Sequence, residues 1–263
     1  MLIVMPVWDT KKNGRGRFTE KSIDALMRSI TDNDRVVISD NGSCIETHKM
    51  YKKFKEKYYN FSVIYNWKNL GIAGGVNQGW HQAVPEEIVC KIDNDCVINT
   101  QRWTEKVAFV FERMPKVGIL GLKRKDLPEQ PDAQNPAYRT KLHVVDHELG
   151  EPWLVIEEAK HIMGTCYCFS PQLRQQIGYL QQPGTVYGFD DAMAAYRARH
   201  AGFIACFLHG IDIDHIDPGG DPIYDAWKRK EAGVGLKRFQ KWMADVSADR
   251  VPIYYDGGFD VEA

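Results

Sequence analysis

No apolar run in this sequence approaches the roughly 18 residues that a membrane-spanning helix needs. The opening Met1-Leu2-Ile3-Val4-Met5 is too short for a signal-peptide core, lacks a basic flank and stops at Pro6. A cytoplasmic location is the default expectation. An excess of one charge is lacking too: 34 Lys and Arg stand against 35 Asp and Glu. No global field therefore draws the chain to nucleic acid or a membrane surface, and only local basic patches remain. The six cysteines (Cys44, Cys90, Cys96, Cys166, Cys168, Cys206) contain no Cys-x-x-Cys pair, which argues against a zinc site or a disulfide framework. Cys166 and Cys168 would share one face of a strand as small buried hydrophobes, so reduced thiols are expected. There is no internal repeat and no low-complexity tract. What is left is an ordinary globular composition, 44% hydrophobic and 26% charged over 263 residues, able to bury a sizeable core.

The first half alternates short apolar runs with helical patterns. Leu2 to Val7, Val36 to Ser39, Phe61 to Tyr65 and Ile88 to Ile92 read as strands; Ser22 to Ile30, Glu46 to Tyr58 and Gly74 to Ala83 read as helices. That order implies a parallel sheet with helices on both faces. Ligands of such sheets sit beyond the carboxyl ends of the strands. Four polar or glycine-rich segments fall there: Trp8-Asp9, Asp40 to Ser43, Asn69 to Asn77, and Asp93 to Asp95. The second half is less regular. Lys123 to Glu151 reads as a long loop or a loop with a small hairpin, and Ile162 to Ser170 as a strand. Pro171 to Ile177 and Asp190 to Ala201 read as helices. Phe203 to Leu208 and Ile211 to His215 continue the sheet, before a basic helical stretch, Trp227 to Val246, and an aromatic tail with Tyr254 and Tyr255.

Asp93-Asn94-Asp95 puts two carboxylates one residue apart at a strand end, where they can face one cavity across a turn. Hard divalent cations that bridge nucleotide phosphates want such oxygen ligands. A plain polar turn accounts for the same residues equally simply. Asn69 to Gly79 has glycines where backbone approaches a ligand closely, and it opens onto a helix whose amino terminus favours phosphate. Tight helix packing is its bland alternative, and no Lys-Ser or Lys-Thr follows to make a Walker loop. Asp190 and Asp191 begin a helix, where a carboxylate can also be merely a cap. His215, amid Asp212, Asp214 and Asp217, is either a metal donor or a polar residue leaving the sheet.

Together and in this order, the pieces resemble the family 2 glycosyltransferases of the GT-A fold, nearest to the bacterial rhamnosyltransferase-like branch. The matches run from Ile3–Trp8 through Ser39-Asp40-Asn41-Gly42-Ser43, Asn69–Gly79 and Asp93-x-Asp95. They continue through Met163-Gly164-Thr165 to Arg174 and Gly178, and end at Asp190-Asp191 ahead of Ala201-Gly202-Phe203. The resemblance implies an α/β fold: a mixed, mainly parallel, Rossmann-like sheet flanked by helices in a single domain over residues 1–217. Residues 1–100 would hold the nucleotide sugar and 101–217 the acceptor, with 218–263 a helical and aromatic extension packed on the same domain. It further implies that Pro6, Trp8, Asp40, Asn69, Gly71, Asn77, Asp93, Asn94 and Asp190 bind the nucleotide sugar. Asp93, Asp95 and His215 would hold Mn²⁺ or Mg²⁺, and Asp191 would be the catalytic base. Position 190 is Asp rather than the usual Glu, and Met193 replaces a frequent second Asp, which leaves Asp191 the clearer base.

The implied donor is a nucleoside-diphosphate sugar of the UDP, GDP or dTDP type, and the implied reaction is inverting transfer to an acceptor hydroxyl. Basic clusters at Lys123-Arg124-Lys125, Lys49 to Lys57 and Lys228 to Lys241 would suit an anionic acceptor such as modified DNA, or serve as solvated helix faces. Two rivals stand beside this reading. One is a nucleotidyltransferase acting on a sugar phosphate, for which Gly14-Arg15-Gly16-Arg17 is a faint phosphate loop. The other is an inactive sugar- or nucleic-acid-binding module that keeps only the fold.

Overall fold

The computed structural model describes residues 1–126, 141–145, 153–219 and 221–258. The first elements are β1 (Leu2–Val7), α1 (Gly16–Ser29), β2 (Arg35–Asp40), α2 (Ile45–Lys57), β3 (Phe61–Tyr65) and α3 (Gly71–Trp80). They are followed by β4 (Val89–Ile92), β5 (Cys96–Ile98), α4 (Trp103–Arg113), β6 (Val117–Leu122), β7 (Lys141–Val145) and β8 (Leu154–Glu158). The chain closes with β9 (Cys166–Phe169), α5 (Pro171–Ile177), α6 (Asp190–His200), β10 (Ile204–Leu208), β11 (Ile213–His215) and α7 (Pro222–Ser247).

One sheet runs β3-β2-β1-β4-β9-β6-β10-β8-β7, and a two-stranded ribbon joins β11 to β5. β1 pairs in parallel with β2 and β4, and β2 with β3, as the alternating pattern predicts. β9 then enters antiparallel between β4 and β6, and β8 runs against both β10 and β7. Only β8 and β9 oppose the common direction among the described strands, so the sheet is mixed but mainly parallel. Side chains alternate across it, as the two-residue strand period requires. Ile3, Met5 and Val7 pack with Ile23 and Leu26 of α1, Tyr51 of α2 and Val107 of α4. Leu2 and Val4 face the other way, toward Val76 of α3, Leu173 of α5 and Ala194 of α6.

Local chemistry sets the element ends. Ser170 Oγ accepts from the Leu173 amide at 3.1 Å ahead of Pro171, which starts α5. Asp221 Oδ1 accepts from the Ile223 and Tyr224 amides at 2.9 Å and starts α7 in the same way. Gly71 holds φ +74°, and a Cβ there would meet Val186 Cα at 2.9 Å. A Cβ on Gly79 would meet the Val4 side chain at 2.5 Å, so α3 lies against β1 at a distance no larger residue permits. Part of the glycine-rich motif is therefore packing.

Several expectations are corrected. α1 starts at Gly16, six residues before Ser22, because the face buried by its first turns is polar, Thr19 and Ser22, and leaves no apolar period to read. α3 starts at Gly71 rather than Gly74. β11 does not continue the main sheet; His215 pairs with Cys96 in the ribbon with β5. The strand expected over 162–170 is reduced to Cys166–Phe169, since Gly164 and Thr165 serve the site instead. The 123–151 stretch contributes β7, which pairs with β8 as a hairpin; its residues 127–140 and 146–151 lie outside the described residues. Among the described residues no helix is long and apolar enough to cross a membrane.

Candidate functional site

The end of β4 organises the site. Lys91, wholly buried on that strand, reaches the Asp93 carboxylate at 2.5 Å and donates to the Gly164 carbonyl. The Asp93 amide donates to Thr165 O at 2.8 Å, which ties the turn to the loop ahead of β9. Burial opposes a charge on Lys91, but Asp93, Asp190 and Asp191 outweigh it and raise its pKa. The cation is thus shared between the Asp93 turn and the start of α6.

Asp95 turns the other way. Its Oδ2 receives Arg15 and stands 3.4 Å from His215 Nε2; Arg15 also grips Asp217 at 2.8 Å. Burial would raise the Asp95 pKa, but His215 and Arg15 overcome it and hold the group below the usual carboxylate range. His215 is shifted up in turn, chiefly by its hydrogen bond to Asp95. The ribbon of β5 and β11 brings these groups together by pairing His215 with Cys96, beside Asp95.

One cavity of about 140 Å³ is lined by Pro6, Trp8, Asn69, Gly71, Asp93, Asn94, Asp95 and His215, eight of the residues singled out from sequence. Arg15, Asn41, Tyr187, Tyr224, Trp227 and Lys228 line it too; Asn41 falls in a strand-end segment, Arg15 in the faint phosphate loop and Lys228 in a basic cluster marked out from sequence, whereas Tyr187, Tyr224 and Trp227 carried no such mark. Trp8 and Tyr187 each lie 5.6 Å from Trp227, ring centre to ring centre, and Tyr224 stacks on Trp227 at 5.6 Å. The first turns of α7 thus form an aromatic wall over the cavity.

Asp40, Asn77, Asp190 and Asp191 are not on that lining. Asp40 is buried beneath it, bonded to His48 Nε2 at 2.9 Å, the Tyr51 hydroxyl at 3.2 Å and the Ser43 amide at 3.2 Å. Its neighbour Asn41 reaches the cavity instead, with Nδ2 donating to Gly71 O at 3.0 Å. Asn77 spends its amide on Leu180, donating to the carbonyl at 2.8 Å and accepting from the N–H at 3.0 Å.

Asp190 and Asp191 open α6 on the far side of Lys91. The Tyr167 hydroxyl donates to Asp190 at 3.0 Å, while His161 Nε2 lies 3.3 Å from Asp191. Burial, with Asp191 and Asp93 adding to it, pushes Asp190 up to about 6 despite Lys91. For Asp191 burial is again the largest influence, but His161, Lys91 and the Ala192 amide prevail and keep it below the ordinary value. Gly164 sits against this pair: a Cβ there would meet Asp191 Oδ2 at 3.1 Å and Lys91 Nζ at 3.5 Å. Two adjacent carboxylates pushed in opposite directions are a recurring acid–base signature. Asp191 and Asp95 lie at one edge of the sheet, separated by Lys91 and Asp93.

The surface charges read differently from the sequence. Lys123 pairs with Glu157, Arg124 with Asp126 at 2.7 Å, and Lys125 with Asp212 and, at 3.3 Å, Asp214. That triplet is matched by acids.

A family model described as glycosyl transferase family 2 matches residues 3–200. The chain belongs to that family. Its fold is also that of solved GT-A glycosyltransferases. The mannosyltransferase PcManGT from Pyrobaculum calidifontis, in complex with GDP-Man and Mn²⁺, aligns over 99% of this chain and 67% of its own, with a TM-score of 0.63 and 18% identity. S. aureus TarS 1–349 aligns over 81% of this chain and 58% of its own, with a TM-score of 0.57 and 16% identity. GalNAc-T7 with UDP, GalNAc and Mn²⁺ aligns over 82% of this chain and 44% of its own, with a TM-score of 0.59 and 12% identity. These identities establish the fold alone. No curated protein sequence matches the chain.

The donors that a cation would meet in this glycosyltransferase are Asp93, Asp95 and His215. Two carboxylates with an imidazole suit Mn²⁺ better than Mg²⁺, which prefers oxygen throughout. Among the described residues, no three acidic, His or Cys side chains are already gathered as a metal cluster. The chemistry of these donors suits a divalent cation, while Lys91 holds Asp93 and Arg15 holds Asp95.

Proposed function

We propose that this glycosyltransferase moves a sugar from a nucleoside diphosphate to an acceptor hydroxyl, with inversion at the anomeric carbon and Asp191 as general base. The observation that carries the reading is the convergence at the end of β4: Asp93 and Asp95 on the cavity wall, and Asp191 behind them, joined through Lys91. The nucleotide-sugar complexes of PcManGT and GalNAc-T7 support it, as does the family match.

Trp8, Trp227 and Tyr224 offer flat faces to a nucleobase, and Pro6 and Asn41 close the floor of that pocket. Gly71, with no side chain, leaves the backbone at the amino end of α3 open to the diphosphate. A divalent cation held by Asp93, Asp95 and His215 would supply Lewis-acid stabilisation of the leaving diphosphate. Asp191, kept ionised by His161 and Lys91, takes the proton of the attacking hydroxyl. Asp40 and Asn77 are reassigned as supports: the first anchors the turn that presents Asn41, the second fixes the 180–186 loop against α3. Residues 1–100 form the donor half and 101–217 the acceptor half, and α7 folds back to complete the donor pocket.

The acceptor is a saccharide hydroxyl in this reading. With the 123–125 triplet neutralised, a modified nucleic acid acceptor rests on the Lys228–Lys241 cluster and the α2 lysines. Product analysis tests the whole. Incubation with UDP-, GDP- and dTDP-sugars and Mn²⁺ should release nucleoside diphosphate. Release of pyrophosphate from a sugar phosphate and a nucleoside triphosphate would instead establish the nucleotidyltransferase, and no turnover of any nucleotide sugar would favour a binding module.

A further inference from the structure

Arg15 stands just ahead of α1 with its side chain only 7% exposed. Its guanidinium is shared between Asp95 and Asp217, the latter at 2.8 Å, and lies 5.0 Å from the centre of the Tyr224 ring. One side chain therefore joins the β4 turn, the segment after β11 and the first turn of α7. His215 approaches the same Asp95 oxygen at 3.4 Å. A divalent cation on Asp95 must share a carboxylate with a fixed positive charge that it repels.

We propose that Arg15 is a built-in competitor of the divalent cation. Its guanidinium neutralises Asp95 and Asp217. When cation and nucleotide enter together, it leaves Asp95 and pairs with the diphosphate, whose oxygens match its planar fork. The cation alone then binds weakly, and cation and nucleoside diphosphate bind cooperatively, because each removes the obstacle the other meets. Tyr224 follows the arginine, which couples the aromatic wall of α7 to the same exchange. The inference rests on the proposed cation site at Asp93 and Asp95.

The test is Mn²⁺ binding without turnover, read by calorimetry and by the electron spin resonance of free Mn²⁺. Wild type, Arg15→Gln, Arg15→Lys and Asp95→Ala are titrated alone and then with saturating UDP or GDP. Arg15→Gln should bind Mn²⁺ alone about tenfold more tightly than wild type and lose most of the enhancement by nucleotide. Arg15→Lys keeps the charge without the two-armed reach, so it should fall between them; it also covers the case in which Arg15→Gln fails to fold. Equal or weaker Mn²⁺ binding by the folded Arg15 variants, with Asp95→Ala still defective, would overturn the inference alone. Should no form bind Mn²⁺ with or without nucleotide, or Asp95→Ala bind as wild type does, the cation reading fails and the inference with it.

Discussion

Asp190 and Asp191 are consecutive, yet their carboxylates answer to different partners: Asp190 to the Tyr167 hydroxyl at 3.0 Å, Asp191 to His161 at 3.3 Å. The helix start turns them apart, and Lys91 lies between them and Asp93. Burial is the largest influence on both, but for Asp191 the lowering contributions of His161, Lys91 and the Ala192 amide together outweigh it. The one that stays charged is suited to accept a proton. Asp191→Asn should therefore lower turnover by roughly 10²–10⁴-fold while leaving nucleotide affinity unchanged. Steady-state rates and calorimetry on the same preparation check this, and near wild-type turnover would remove Asp191 from the base role.

Asp190 gives a pH prediction. Its pKa rises from 3.8 to about 6 on folding, so the folded state binds the proton more tightly than the unfolded one. Its contribution to stability is then most favourable at low pH and is lost as pH rises from about 4 through about 6. Asp190→Asn, still able to accept from Tyr167, should gain stability relative to wild type across that window, by about 3 kcal/mol at pH 7. Denaturant midpoints at about pH 3 and about pH 7, each about one unit outside that window, measure the difference. A gap that does not widen with pH contradicts the prediction.

Lys91 neutralises Asp190, which is buried, together with Asp93 and Asp191, whose side chains are partly exposed. Lys91→Met should leave Asp93, Asp190 and Asp191 uncompensated and cost about 3–5 kcal/mol, seen as a lowered urea midpoint. An unchanged midpoint would show that these acids take up protons or relax into solvent.

The cavity is small because Trp227, Tyr224 and Tyr187 close over it. A donor has to displace or stack on that wall. UDP or GDP should quench tryptophan emission in wild type, and Trp227→Ala should weaken nucleotide binding about tenfold while abolishing most of the quench. Equal affinity in the variant would place the base elsewhere.

Much of this arrangement was legible in the residues. The alternating runs located β1 to β4, and the polar segments after them, Trp8, Asn69–Gly71 and Asp93–Asp95, do line one cavity. Strand order alone supports that inference because parallel strands deliver their ends to a single edge. The misses have physical causes. Arg15 stood out only as part of a faint phosphate loop, since nothing local reveals partners 80 and 202 positions away. Tyr224 and Trp227 reach the site only because α7 folds back from the carboxyl end. Asp40 carries the motif but points into the α2 face, where His48 and Tyr51 fix it. Lys91 did leave a signal: a lysine inside an otherwise apolar strand, two residues before Asp93, has to find buried acids.

The most direct test of the account is nucleotide binding by wild type and Asp95→Ala, each with and without Mn²⁺, by calorimetry. Wild type should bind UDP or GDP at least about tenfold more tightly with Mn²⁺, and Asp95→Ala should lose that gain while remaining folded. Metal-independent binding of equal strength in both proteins would contradict it.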